Sequence, residues 1–236
     1  MLKSLCTVSK YVFVSTNAFM IRKVIGIYYS PVGGTEKMTE TLARKIGAIL
    51  DDCSPMDVSV ECHDMLKEQS SIVLDDETVA VIGMPVYVGK IPLPAAAALR
   101  KIEGNGAMTL AAVSYGGRKY GNALFELKRL TEECGFKTIG AGAFMISYMA
   151  IRGSSTSTSP AIDLESVLDF SKAASEKIKR LAGCEIEELR IKPMPVEVSG
   201  RMPVHKISRI SPKAAAVAQG VFNRMSVMRR RSEWFL

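Results

Sequence analysis

Residues 24–50 read VIGIYYSPVGGTEKMTETLARKIGAIL, and this stretch decides the fold. Its first six residues form a continuous apolar, β-rich run, which is typical of a strand covered on both faces. Residues 30–34 hold a proline and two glycines and predict a turn. From residue 35 to 50, Met38, Leu42, Ile46 and Ile49 recur at helical spacing. A buried strand, a tight turn and an amphipathic helix together indicate the first half of a parallel β–α–β unit.

The same alternation of strands and helices continues along the chain to residue 182. Further strands are predicted at residues 57–62, 79–84, 107–114 and 136–145, helices at 92–102, 120–134 and 162–182, and a polar loop at 152–160. The strands are apolar and β-branched, as expected for a sheet that is buried on both sides. We therefore predict an α/β fold with a doubly wound, five-stranded parallel sheet and helices on both faces.

The two ends of the chain lie outside this pattern. The chain has 236 residues, of which 47% are hydrophobic, and this suffices for one sizeable core. We predict a domain at residues 21–183. Residues 1–20 are interpreted as a disordered leader or as a mis-assigned start, and residues 184–236 as a basic extension with a helix at 212–231.

The net charge of +7 resides in the C-terminal extension, because residues 201–236 contain eight Lys or Arg and one Glu. The remaining residues sum to zero, so the domain itself is not predicted to bind nucleic acid. The basic extension could dock to an acidic redox partner or to an anionic surface. Alternatively, its helix packs on the domain, with the terminal arginines complementing the helix dipole.

Cysteine and histidine usage gives no sign of a metal centre. The five cysteines are dispersed without a C-x-x-C pair, and only two histidines are present. Dispersed cysteines are typical of reduced thiols, so we expect a cytoplasmic protein. No stretch is long and apolar enough to predict a stable membrane insertion. We nominate no catalytic residue and no metal ligand.

The turn at residues 30–35 carries the first candidate site. In an open parallel sheet, ligands bind beyond the carboxyl ends of the strands. Gly33 and Gly34 allow the backbone to approach a ligand closely, and the N-terminus of the following helix favours an anion. Ser30 and Thr35 add hydroxyl groups. These features predict a phosphate-binding loop; the alternative is a plain strand-to-helix turn in which Thr35 caps the helix.

Two further loops follow strands at the same edge of the predicted sheet. They read PVYVG (residues 85–89) and SYGGRKYG (residues 114–121), and both are rich in glycine and tyrosine. Tyrosine rings can stack on a flat ligand, while backbone amides bond its heteroatoms. Three such loops at three strand ends indicate a site for a ligand with a phosphate and a planar ring.

These three segments resemble the flavodoxin family. YYSPVGGTEKMTETLA (residues 28–43) is similar to the family's FMN phosphate loop, Ser/Thr-x-Thr-Gly-x-Thr, and PVYVGKIP and SYGGRKYGNALFEL are similar to its two ring-binding loops. The resemblance extends from about residue 24 to 182 and is greatest to flavodoxin domains that precede a two-cluster ferredoxin. It implies a flavodoxin-like strand order, 2-1-3-4-5, and FMN as the cofactor.

The resemblance also implies the cofactor-binding residues. They are Ser30, Val32, Gly33, Gly34 and Thr35 around the phosphate, and Pro85, Val86, Tyr87, Val88, Gly89, Ser114, Tyr115, Gly116, Gly117, Tyr120 and Gly121 around the ring. The sequence departs from the family twice. Val32 stands where the family has threonine, and the ferredoxin cysteines are missing.

The sequence therefore predicts an FMN-binding protein that acts in electron transfer, with a redox partner protein or NAD(P)H as its reaction partner. Two alternatives stay open. One is an FMN-dependent NAD(P)H oxidoreductase of the quinone-reductase type, and the other is a flavin-free interaction module of the same fold.

Overall fold

A computed structural model describes residues 21–54, 57–67, 71–117, 119–150, 158–183, 196–200 and 233–235. Its strands are β1 (Lys23–Tyr28), β2 (Ser59–Asp64), β3 (Thr78–Pro85), β4 (Met108–Tyr115), β5 (Lys137–Ala150), β6 (Thr158–Ile162) and β7 (Glu233–Phe235). Its helices are α1 (Gly34–Asp51), α2 (Leu93–Leu99), α3 (Ala123–Glu133) and α4 (Leu164–Gly183). The predicted leader, the predicted helix at 212–231 and Arg118 lie outside the described residues.

The first five strands form a parallel sheet in the order β2-β1-β3-β4-β5. This is the flavodoxin-like order, and the prediction of an α/β doubly wound fold is confirmed. The chain first builds outward from β1 to β2 and then returns to place β3 on the other side of β1. The topological switch point therefore lies between β1 and β3, at the end of the strand that the opening stretch encodes.

Two antiparallel strands extend the sheet beyond the five that were predicted. Residues 146–150 of β5 pair with β6, and residues 141–143 of β5 pair with β7. The prediction of a polar loop over 152–160 was wrong for its last three residues, which belong to β6. Pro160 lies within this strand, and proline is tolerated there because β6 is at the edge of the sheet.

The core is divided between the two faces of the sheet. Apolar residues of α1 and α4 fill one face, and those of α2 and α3 fill the other. Helix α1 approaches the sheet closely because Gly83 of β3 has no side chain. A Cβ atom at Gly83 would lie 1.8 Å from Oγ1 of Thr39, which donates to the carbonyl of Thr35. This contact fixes the N-terminal turn of α1 at the carboxyl edge of the sheet.

The C-terminal extension contacts the domain at residues 196–200 as well as through β7. Val196 and Val198 are buried in the core on the α2–α3 side. Gly200 lies directly against the ring of Phe125 in α3, because a Cβ atom at Gly200 would meet that side chain at 2.5 Å. Within the described residues, no helix is long and apolar enough to cross a lipid bilayer.

Candidate functional site

The three predicted loops lie together at the carboxyl edge of the sheet. Strand register brings them level, because Tyr28 at the end of β1 pairs with Gly83, and Pro85 at the end of β3 pairs with Ser114. The loop after β1 and the loop after β3 therefore flank the switch point, and the loop after β4 adjoins them. This is the position at which doubly wound sheets bind their ligands.

The loop at residues 30–35 ends in an open helix N-terminus. Gly33 is the residue before α1 and has a φ of 80°, a left-handed conformation that glycine adopts without strain. The first helical bond runs from the N–H of Lys37 to the carbonyl of Gly33. The N–H groups of Gly34 and Thr35 precede this bond and have no acceptor within the helix. The hydroxyl that engages an N-terminal amide of α1 is that of Ser30, which accepts the N–H of Glu36, so the alternative in which Thr35 caps the helix was wrong.

The hydroxyl groups of the loop are buried and engaged. Oγ of Ser30 accepts the N–H of Glu36 at 3.0 Å. Oγ1 of Thr35 lies 2.7 Å from Oγ of Ser114, and the two hydroxyls share a buried hydrogen bond. The carbonyl of Ser114 also accepts the N–H of Val86 at 2.9 Å. Ser114 thus joins all three loops, and its side chain lies beside the phosphate loop although the sequence grouped it with the ring loops.

Val32 and Glu36 set the electrostatic character of this loop. Val32 is 49% exposed, so the position where the family has threonine presents an apolar group. Glu36 is the acidic residue of the first turn of α1. Its Oε1 accepts the phenol of Tyr28 at 3.1 Å, and this phenol also lies 3.4 Å from Glu40. Burial, followed by the hydrogen bond to Glu36, raises the pKa of Tyr28, so the phenol stays protonated and continues to donate.

The loop after β3 forms a tight turn with a strained tip. Tyr87 and Lys90 exchange two backbone hydrogen bonds of 3.0 and 3.1 Å. Between them, Val88 and Gly89 both have positive φ, of 54° and 74°. Two such residues define a type I′ turn, which is unfavourable for a β-branched residue. Val88 nevertheless occupies it and is 93% exposed. Strain of this kind is concentrated at functional sites.

The second and third loops are locked together. Gly89 and Gly121 are so close that a Cβ atom at Gly121 would lie 2.6 Å from both Cα and O of Gly89. The N–H of Asn122 donates to the carbonyl of Gly89 at 2.9 Å. Oε2 of Glu126 in α3 accepts the N–H of Ile91 at 2.9 Å. The loops therefore form one rigid platform.

Tyrosine rings surround this platform. Tyr115 is buried and meets Tyr120 edge to face, with ring centroids 5.7 Å apart. Tyr87 is 37% exposed, and burial raises its pKa, with a smaller contribution from Tyr29. The sequence analysis missed Tyr29. Tyr29 directly follows β1, and Tyr28, the residue before it, faces α1. Because successive side chains of a strand point to opposite faces, this periodicity could have assigned Tyr29 to the side of the ring loops.

The third loop leaves room for a ligand. A Cβ atom at Gly117 would meet no atom within 4 Å, and Gly116 is half-buried. By contrast, Pro85 and Val86 are buried and hold the base of the second loop. The described residues of the site thus combine unbonded amides, hydroxyls and tyrosines around open space. This donor set fits a planar ring that bears a phosphate, although one threonine hydroxyl of the family pattern is missing. Among the described residues, no group of three or more His, Cys, Asp or Glu could hold a metal ion.

Comparisons with known proteins find similar solved structures but no close relative. No protein-family model and no curated protein sequence matches the chain. Oxidised flavodoxin 1 from Bacillus cereus is 19% identical, with a TM-score of 0.45 and an alignment that covers 66% of this chain and 97% of that chain. A flavodoxin from the domain Archaea is 18% identical, with a TM-score of 0.38 and coverage of 66% and 99%. An NADH:FMN oxidoreductase in its apo form is 15% identical, with a TM-score of 0.40 and coverage of 52% and 74%. All three TM-scores are below 0.5, so these similarities carry no argument, and the function has to be argued from the site.

Proposed function

We propose that the chain binds FMN at the carboxyl edge of its sheet and acts in electron transfer. The observation that carries the proposal is the joining of three loops by Ser114 and by the contact between Gly89 and Gly121. These contacts hold an open helix N-terminus next to a tyrosine-bearing platform. An anionic group and a flat ring on the same ligand would be bound at once.

The phosphate would be held by the loop at residues 30–35. The N–H groups of Gly34 and Thr35, together with the dipole of α1, supply the attraction. The hydroxyls of Ser30 and Thr35 retain lone pairs and are fixed in place by their partners. Oε1 of Glu36 accepts a hydrogen bond from Tyr28, while its Oε2 lies 3.9 Å from the position of a Cβ atom at Gly33, so this carboxylate borders the loop and opposes part of that attraction.

The ring would be held by the platform. Residues 85–89, 114–117 and 119–121 would flank the ring, with Tyr87 and Tyr120 as the partly exposed aromatic groups. Bound FMN would supply one- and two-electron redox chemistry, and the protein residues would orient the ring and exclude water from it. The electron donor would be a redox partner protein or NAD(P)H.

A titration of the purified full-length chain with FMN tests the proposal. We expect saturable binding with a dissociation constant in the micromolar range or below, seen as a shift and sharpening of the visible flavin spectrum. Absence of binding at tens of micromolar protein would contradict the proposal and favour the flavin-free interaction module. Mixing the FMN-loaded protein with NADPH alone then distinguishes the two possible electron donors. Rapid bleaching of the flavin absorbance indicates an NAD(P)H oxidoreductase, and slow bleaching indicates that a partner protein is the donor.

A further inference from the structure

A small apolar surface lies at the outer edge of the platform. It consists of Tyr87, Val88 and Leu93, which are 37%, 93% and 71% exposed, together with two exposed cations: Lys90 in the same loop, and Lys119, two residues before the Gly121 that packs against Gly89. We call these five residues the ring-edge surface. Exposed apolar side chains that cluster within a polar rim are typical of interaction sites.

The backbone holds this surface in place before any partner arrives. Val88 is at the tip of the turn in a left-handed conformation, so its side chain is directed away from the platform and into solvent. The two hydrogen bonds between Tyr87 and Lys90 close the turn, and Gly121 packs against it. A preorganised surface loses little conformational entropy when it docks.

The charges at this edge of the sheet differ between its two sides. Beside the ring-edge surface, the half-buried carboxylate of Glu126 is engaged through Oε2 by the N–H of Ile91. The ammonium groups of Lys90 and Lys119 make no ion pair with any described carboxylate. On the side of β1 and β2, the same edge carries Glu36, Glu40 and Asp64 around Tyr28. A protein that approaches with an acidic patch would therefore be attracted by the ring-edge surface and repelled by its acidic neighbour, which fixes its orientation.

We propose that the ring-edge surface docks an acidic electron-transfer protein, with Val88 and Leu93 at the centre of the contact and Lys90 and Lys119 on its rim. The role in electron transfer rests on the proposed function, whereas the docking itself does not need bound flavin. The surface is small, which suits the weak and transient complexes of redox proteins.

Calorimetric binding of an oxidised, acidic plant-type [2Fe–2S] ferredoxin tests this proposal. The full-length chain is titrated at 20 and 300 mM NaCl, with and without FMN. The test variant is Lys90→Glu/Lys119→Glu. The matched control is Lys45→Glu/Lys172→Glu, which makes the same charge change at exposed positions on α1 and α4. Basic cytochrome c serves as the opposite probe.

We expect the test variant to bind ferredoxin about tenfold more weakly at low salt, and the control to change affinity less than about threefold. High salt should weaken binding by the native chain. Val88→Asn, which removes the apolar side chain and introduces a residue that tolerates positive φ, should weaken binding without changing its salt dependence. Far-ultraviolet circular dichroism verifies that each variant is folded.

Equal binding by both double variants would overturn the proposal, because the basic extension or another surface would then account for docking. Tighter binding of cytochrome c, or no binding of ferredoxin at all, would also overturn it. These outcomes are independent of the FMN titration. Loss of docking by a chain that still binds FMN refutes only the docking surface, whereas docking of ferredoxin by a chain that fails to bind FMN in the titration refutes only the cofactor.

Discussion

The contact between Gly89 and Gly121 predicts a large effect of Gly121→Ala on the free energy of unfolding. Gly121 has a φ of 60°, and the new Cβ would lie 2.6 Å from Cα and O of Gly89. Both atoms belong to backbone, so no flexible side chain can move aside. The left-handed conformation costs alanine about 1–2 kcal/mol, and overpacking costs about 1–3 kcal/mol. We expect a loss of about 2–5 kcal/mol in total.

Gly117→Ala is the matched control, since it changes a glycine of the same loop to the same residue. A Cβ atom there meets nothing within 4 Å, and the φ of Gly117 is not in the left-handed region. The expected change is within about 0.5 kcal/mol. Urea denaturation followed by circular dichroism measures both variants. Equal stability of the two would refute the claim that close backbone contact locks the second and third loops together.

The buried hydroxyl pair and the buried phenol give two further predictions. Ser114→Ala and Thr35→Val should each lower the free energy of unfolding by about 1–2 kcal/mol, because each leaves the other hydroxyl of the 2.7 Å hydrogen bond buried without its partner. The double variant should therefore lose about 1 kcal/mol less than the sum of the two single losses. Strictly additive losses in urea denaturation would exclude this coupling. The pKa of Tyr28 is raised in the folded chain, so the unfolded state loses its proton first and stability should fall as the pH rises above about 10. Tyr28→Phe should make that fall less steep, and an unchanged pH profile between pH 9 and 11 would contradict the raised pKa of Tyr28.

The parallel part of the fold could be predicted from the sequence because its signals are local. Continuous apolar runs identify buried strands, and the glycines at residues 33 and 34 identify the turn between β1 and α1. The antiparallel strands could not be predicted in this way. β6 contains Pro160, which weakens its strand signal, and β7 has three residues that pair with β5 about ninety positions away.

The candidate site was predicted at the level of loops but not of side-chain contacts. The switch-point rule needs only strand order, and it placed all three loops at one edge. The sequence analysis assigned Ser114 and Tyr115 to the same side of the ligand, although neighbouring residues of a strand point to opposite faces. The hydrogen bond from Ser114 to Thr35 joins residues 79 positions apart and depends on how closely α1 approaches the sheet. That approach is set by Gly83, whose role appears only once Thr39 is seen beside it.

The measurement that tests the central claim most directly compares FMN with riboflavin in two variants of Gly33. Asn and Asp are nearly identical in shape, and both tolerate the left-handed conformation of Gly33, so only the added charge differs. A carboxylate at this position would repel a phosphate that lies against the N-terminus of α1. We predict that Gly33→Asp binds FMN at least about tenfold more weakly than Gly33→Asn, while the two variants bind riboflavin equally. Equal FMN affinities, or a parallel loss for riboflavin, would contradict the assignment of this loop to the phosphate.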